Sequence, residues 1–225
     1  MNLSSSSLTI LKNFGSINSS IYFRVGNTLK TISPAKNILA VAEIDDTIEK
    51  EFGIYDLNNF LSVMSMHKDG SQLSFDDYHV IINGNSGRSN IKYRFCHPDN
   101  IEVPPEKELR VDDPEITFTL TQEDFSWILK AASILGSPNI AVTSDGDKIF
   151  IKTLDIANNA AHTESLEIGS GNGHTFQMVF LTSNIMKLLN GEYEVKISSS
   201  GIACFRNTSI KLIYYVAVER ESSYE

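Results

Sequence analysis

Ile10-Leu11-Lys12 recurs as Ile128-Leu129-Lys130, and that repetition decides the architecture. Each triplet lies inside an amphipathic stretch followed by strand-like runs, and a unit met twice in one chain predicts two domains of one kind. After the first come Ile21-Tyr22-Phe23-Arg24-Val25, a Gly26-Asn27 turn and a run over 28–32. After the second come a run over 139–143, an Asp145-Gly146 turn and a run over 148–154. Such turns between apolar runs predict hairpins. Each half then shows a second helix entered from a strand. Asp56 is a candidate N-cap for the first, over 57–64, and Asn190-Gly191 closes the second, over 182–189. Further hairpins are predicted at 73–83 and 90–96, then at 193–198 and 209–219. The chain is therefore expected to be α+β, with similar domains over 1–97 and 115–225. They are joined by 98–114, where Pro98, Pro104, Pro105 and Pro114 stand among acidic residues.

Helical periodicity separates two faces. In the first helix Leu3, Ser7, Ile10, Leu11, Phe14 and Ile17 gather on one side, with Ser5, Thr9, Lys12 and Ser16 opposite. In its repeat Phe125, Ile128, Ala131, Ala132 and Leu135 oppose Ser126, Lys130, Ser133 and Ser137. Leu57, Phe60, Leu61 and Met64 oppose Asn59 and Ser62, while Ile185, Leu188 and Leu189 oppose Lys187 and Ser183. These polar faces are small, hydroxylated or amidated, and their charges are mostly positive.

The bias matters because the chain is acidic. It carries 19 Lys+Arg against 28 Asp+Glu, a formal net charge of −9. The excess is uneven: 11 cations face 13 acids over 1–110, and 8 face 15 over 111–225. An acidic balance argues against a chain that grips nucleic acid over its whole surface. Helices that exclude carboxylates from their solvent faces nonetheless suit loose, sequence-independent contact with phosphates.

Little in the chain points to catalysis. The five histidines are scattered, and Cys96-His97 has no matching second half, so zinc is not expected. Cys96 and Cys204 read as reduced packing thiols. Gly169-Ser170-Gly171-Asn172-Gly173 lacks the Lys-Ser/Thr ending of a phosphate loop and reads as a hairpin loop. Asp45-Asp46, Asp76-Asp77 and Asp112-Asp113 could serve metal-dependent hydrolysis, but adjacent strand residues face opposite ways and turn acids account for them better. No cofactor, no metal and no membrane span is expected.

Ile10-Leu11-Lys12-Asn13-Phe14 with Ile17-Asn18-Ser19, and Ile54-Tyr55-Asp56-Leu57-Asn58-Asn59-Phe60-Leu61, resemble the first and second helix entries of T-even-type phage DNA sliding clamps. Tyr214-Tyr215-Val216-Ala217-Val218-Glu219 resembles that family's last strand, and that of proliferating cell nuclear antigen. The resemblance implies a polymerase processivity factor, not an enzyme. It would work as a homotrimeric ring around duplex DNA, helices lining the hole and antiparallel sheets outside. It further implies an ATP-driven clamp loader, the phage DNA polymerase as partner and the cytoplasm of the infected bacterial host. Phage transcription machinery is a further candidate partner. Lys12, Lys68, Lys130 and Lys187 are the expected inner-face cations. By the same resemblance Tyr215 and Ala217 form a partner-peptide pocket, with Leu109 and Val111 of the connector as its other wall. Core packing is the competing account of Tyr215 and Ala217. A processivity factor that grips DNA as a monomer and a small metal-dependent nuclease are the alternative functions.

Overall fold

The computed structural model describes residues 1–67 and 70–225, and the chain divides into two compact units, Met1–Glu106 and Lys107–Glu225.

In the first unit, α1 (Ser5–Ile17) begins where Ser4 accepts a hydrogen bond from the Ser7 N–H and buries Ile10, Leu11, Phe14 and Ile17. Strands β1 (Ile21–Phe23), β2 (Gly26–Ile32), β3 (Ile38–Ile48) and β4 (Phe52–Ile54) follow. The hairpin expected across Gly26-Asn27 does not form. Instead β1 pairs antiparallel with β4, and β2 with β3. The cause is non-local: Phe23 stacks on Phe52, ring centroids 4.4 Å apart, and Gly26, with φ +118°, opens β2 instead of closing a two-residue turn. Asp56 caps α2 (Leu57–Ser65) as expected, and Leu57, Phe60, Leu61 and Met64 are its buried side. The two helices meet closely at Gly15, where Asn58 Nδ2 donates to the glycine carbonyl at 3.3 Å. The meander β5 (Ser71–Phe75), β6 (His79–Gly84) and β7 (Asn90–Arg94) ends in the short 3-10 turn Pro98–Asn100, leaving β7 as the last strand of its three-stranded sheet.

The second unit opens with β8 (Ile116–Leu120) and α3 (Gln122–Leu135), capped by Thr121 and ended by Gly136 in the left-handed region at φ 64°. That reversal takes Ser137 off the helical period, and Leu135 stands on the helix's last, open turn. Leu135, expected inside, is 38% exposed, and Ser137, expected outside, is buried. Next come β9 (Asn139–Asp145), β10 (Lys148–Leu154), β11 (Ser165–Ser170) and β12 (Thr175–Leu181), then the single turn α4 (Thr182–Ile185). The chain finishes with β13 (Tyr193–Ser198), β14 (Ile202–Asn207), β15 (Leu212–Ala217) and β16 (Ser223–Tyr224). Within this unit the strands run β11-β10-β9-β12-β16 in one sheet and β15-β14-β13-β8 in the other.

The helix expected over 182–189 stops after one turn because buried tyrosines capture its continuation. Tyr214 Oη accepts from the Leu189 N–H at 3.1 Å, and Tyr193 Oη donates to the Leu189 carbonyl. Both rings belong to an aromatic core with Phe125, Phe205 and Phe180. Burial pushes the Tyr193 hydroxyl up to about 12 and raises that of Tyr214, so both remain protonated at neutral pH.

Candidate nucleic-acid faces and partner surface

The helices place Lys12 and Lys130 as the spacing predicted. Ser5, Thr9, Lys12 and Ser16 are all exposed on α1, Asn59 and Ser62 on α2, and Ser126, Lys130 and Ser133 on α3. Lys187 sits just past α4 and is half-buried; Lys68 lies outside the described residues. Among the described residues, Glu123 and Asp124 are the only acids within these helices. Both occupy the first turn of α3, where the helix dipole favours negative charge and Asp124 joins the Thr121 cap. Ser126 is tied to the turn after α4 by a 3.0 Å hydrogen bond to Asn190. Helix faces of this kind offer phosphates a few mobile ammonium groups and many hydroxyls, with almost no competing carboxylate.

The composition of the α3 face departs from expectation at two places. Trp127 is 54% exposed and Ile134 73%. They are separated by seven residues, the one sequence signal that could have grouped them on a side of their own. Trp127 Nε1 donates to Glu164 Oε1 at 3.4 Å, immediately before β11, the outermost strand of its sheet.

On β15, Tyr215 and Ala217 alternate with fully buried Tyr214 and Val216 and are themselves half-buried. They lie on the sheet face turned away from the core, which disfavours the core-packing account of both residues. Across the ladder Tyr215 pairs with Cys204 and Ala217 with Ile202. Leu109 is 39% exposed and Val111 half-buried. Burial raises the Tyr215 hydroxyl pKa, helped by Cys204 and Glu108 and opposed by Arg206 and Arg110. Glu108 and Arg110 flank Leu109, so the segment around Leu109 runs within electrostatic reach of Tyr215. Of the four expected pocket residues, Tyr215 and Ala217 share one face of β15.

The acid pairs have structural tasks. Asp46 accepts from Ser4 at the start of α1, and Asp76 from the backbone N–H groups of Tyr78 and His79. Asp113 sits at a turn with φ 50°. Among the described residues no group of three His, Cys, Asp or Glu side chains could hold a metal ion. The glycine-rich loop packs on the β9–β10 turn: Gly171 N donates to Asp147 O at 2.7 Å and Gly173 N to Gly146 O at 2.9 Å. Those N–H groups are thus committed to carbonyls and not to a phosphate. A Cβ at Gly171 would collide with the Gly146 carbonyl, which is why a glycine stands there. Cys96 and Cys204 are both free thiols, and among the described residues no helix is long and apolar enough to cross a membrane.

Solved structures share this fold. Proliferating cellular nuclear antigen from Entamoeba histolytica superposes with a TM-score of 0.68 at 13% identity, 94% of each chain covered. That from A. fulgidus, solved with the C-terminal region of FEN-1 bound, gives 0.66 at 16% identity and 96% of each. The fold is that of a DNA sliding clamp. A family model described as DNA polymerase processivity factor matches residues 4–100. Over the whole chain, the sliding clamp of Enterobacteria phage T4 is 29% identical, covering 100% of both proteins, and that of Vibrio phage KVP40 is 28% identical, covering 97% of this chain and 99% of its own. Over its whole length the chain is similar to the sliding clamps of T4-type phages, and its first unit to polymerase processivity factors.

Proposed function

We propose that three copies of this chain close head to tail around duplex DNA and tether the phage replicative DNA polymerase, with no chemistry of their own. One observation carries the reading: in a chain of net charge −9, the helices hold two acids, both in one N-terminal turn. A closed ring holds DNA by topology and needs little intrinsic affinity, so Lys12, Lys130 and Lys187, with Lys68, suffice to ease the duplex past an otherwise acidic protein. The strands at the sheet ends, β7 in the first unit and β11 in the second, support closure, because end strands of identical subunits can pair and close a ring by rotation.

In this reading 1–97 and 115–225 are the clamp domains and 98–114 the connector. Tyr215, Ala217, Leu109 and Val111 receive a hydrophobic peptide of the polymerase, and the phage transcription machinery is a second candidate for the same place. An ATP-driven loader opens and recloses the ring in the cytoplasm of the infected host. Light scattering on a sizing column at several concentrations tests the assembly. A mass about three times the 25.0 kDa subunit supports the ring. A monomer persisting at tens of micromolar removes the topological argument and puts the monomeric processivity factor ahead.

A further inference from the structure

The sheet face that carries Tyr215 also carries two cations the peptide-pocket reading does not use. Antiparallel register sets residues directly opposite one another on the same side of a sheet. Along one row Lys196 on β13 stands opposite Cys204 on β14, which stands opposite Tyr215 on β15. In the neighbouring row Arg206 occupies β14, two residues from Cys204 on the same face. Glu194 of β13 stands opposite it on one side and Ile213 of β15 on the other, so this face carries two cations and one acid. Lys196 and Arg206 are exposed, and neither makes a salt bridge among the described residues. Four other cations do form salt bridges: Arg24 with Glu106, Lys36 with Glu102, Arg110 with Glu108 and Lys148 with Glu167. Cys204, between the two cations, is buried although it lies on the outer face, because its neighbours cover it. The other side of Tyr215 is apolar, with Ile202 and Ala217 paired across the ladder.

An apolar strip bordered on one side by a lysine and an arginine, on a protein with nine more acids than bases, is complementary to a segment that is apolar and acidic together. We propose that Lys196 and Arg206 select partner peptides that carry a carboxylate beside their apolar anchor. This rests on the reading of Tyr215 and Ala217 as the peptide surface and adds its charge specificity. The guanidinium of Arg206 can take a carboxylate with two parallel N–H donors, while the Lys196 ammonium supplies a mobile point charge. A duplex phosphate is the other anion these cations could meet, but it would leave the apolar strip uncovered.

The test selects a bead-displayed random peptide library against the full-length chain, the Lys196→Gln/Arg206→Gln variant and the Tyr215→Ala variant. Peptides retained by the parent should combine an apolar core with Asp or Glu beside it. Replacing that acid by its amide should weaken binding about three- to tenfold. The double variant should retain apolar cores with the acid enrichment abolished. Apolar cores without acid bias, or a bias unchanged in the double variant, would overturn the specificity while leaving the pocket. Retention unchanged by Tyr215→Ala would instead overturn the pocket itself. Duplex DNA binding abolished in the double variant, with the peptide bias intact, would assign the cations to DNA.

Discussion

Ser4 and Asp46 stand 42 residues apart and meet at the start of α1, where the serine backbone N–H and hydroxyl both donate to Asp46 Oδ2, at 2.7 and 2.8 Å. Ser4 also accepts from the Ser7 N–H, so a carboxylate on β3 holds the residue that caps the helix. Partial burial works to raise the Asp46 pKa, but hydrogen bonds from Ser7 and Ser4 outweigh it and hold the carboxyl below its usual range. A depressed folded-state pKa means stability that is present above the unfolded value, about 3.9. It is lost as pH falls from there through the folded value. Asp46→Ala should cost about 1–2 kcal/mol in urea unfolding at neutral pH. The difference from the parent should shrink as the pH is taken below about 4; a gap that holds constant into acid would show that ionisation is not what anchors the cap.

Gly53 on β4 is buried, and a Cβ there would come within 2.5 Å of the Cys96 carbonyl. The Cys96 N–H donates to the Gly53 carbonyl at 2.8 Å, so the collision is with backbone that is itself held in place. Gly53→Ala should destabilise the chain by about 2 kcal/mol or more. An unchanged denaturant midpoint would mean the segment around Cys96 yields freely.

Removing the helix lysines together, by Lys12→Ala, Lys130→Ala and Lys187→Ala, should shorten the tracts a polymerase copies per loading event while leaving the native mass unaltered. The salt dependence of residual DNA association should flatten by about one unit of slope for each phosphate that is no longer neutralised. Processivity equal to the parent at every salt concentration would take these residues out of the DNA surface.

Tyr214 and Tyr215 are neighbours with opposite fates, and the contrast makes a paired experiment. Tyr214→Ala empties a core position and should cost about 3 kcal/mol of stability. Tyr215→Ala should leave the melting temperature nearly unchanged, because the ring faces away from the core, yet weaken polymerase binding by roughly tenfold or more. A matched loss of stability and binding in Tyr215→Ala would return that residue to the core.

The helices were legible in the chain because the information that makes them is local. Asp56 acts within a turn of its own position, and the 3.6-residue period of Ile10, Leu11, Phe14 and Ile17 names the buried side without knowing what covers it. The Asp145-Gly146 hairpin was equally plain, since its two strands join through the turn that specifies them. The alternation of Tyr214, Tyr215, Val216 and Ala217 is also local. It divides the residues between two faces but does not say which face is covered.

What lay beyond the sequence depended on partners distant along the chain. The pairing of β1 with β4 rests on Phe23 meeting Phe52, and the early end of α4 on two tyrosines that close over Leu189. The exposure of Trp127 and Ile134 depends on how α3 lies on its sheet, since both look like core residues in composition. The grouping of Lys196, Cys204, Arg206 and Tyr215 comes from strand register across β13, β14 and β15. By itself, then, the sequence determined the two-unit α+β plan, the Asp56 cap and most of the inward side of the first three helices, because short-range sterics and periodicity carry them. Only the tertiary structure decided which strands pair, where the second helix of the second unit stops and which cations border Tyr215. Those choices turn on contacts between segments whose separation in sequence carries no local signal.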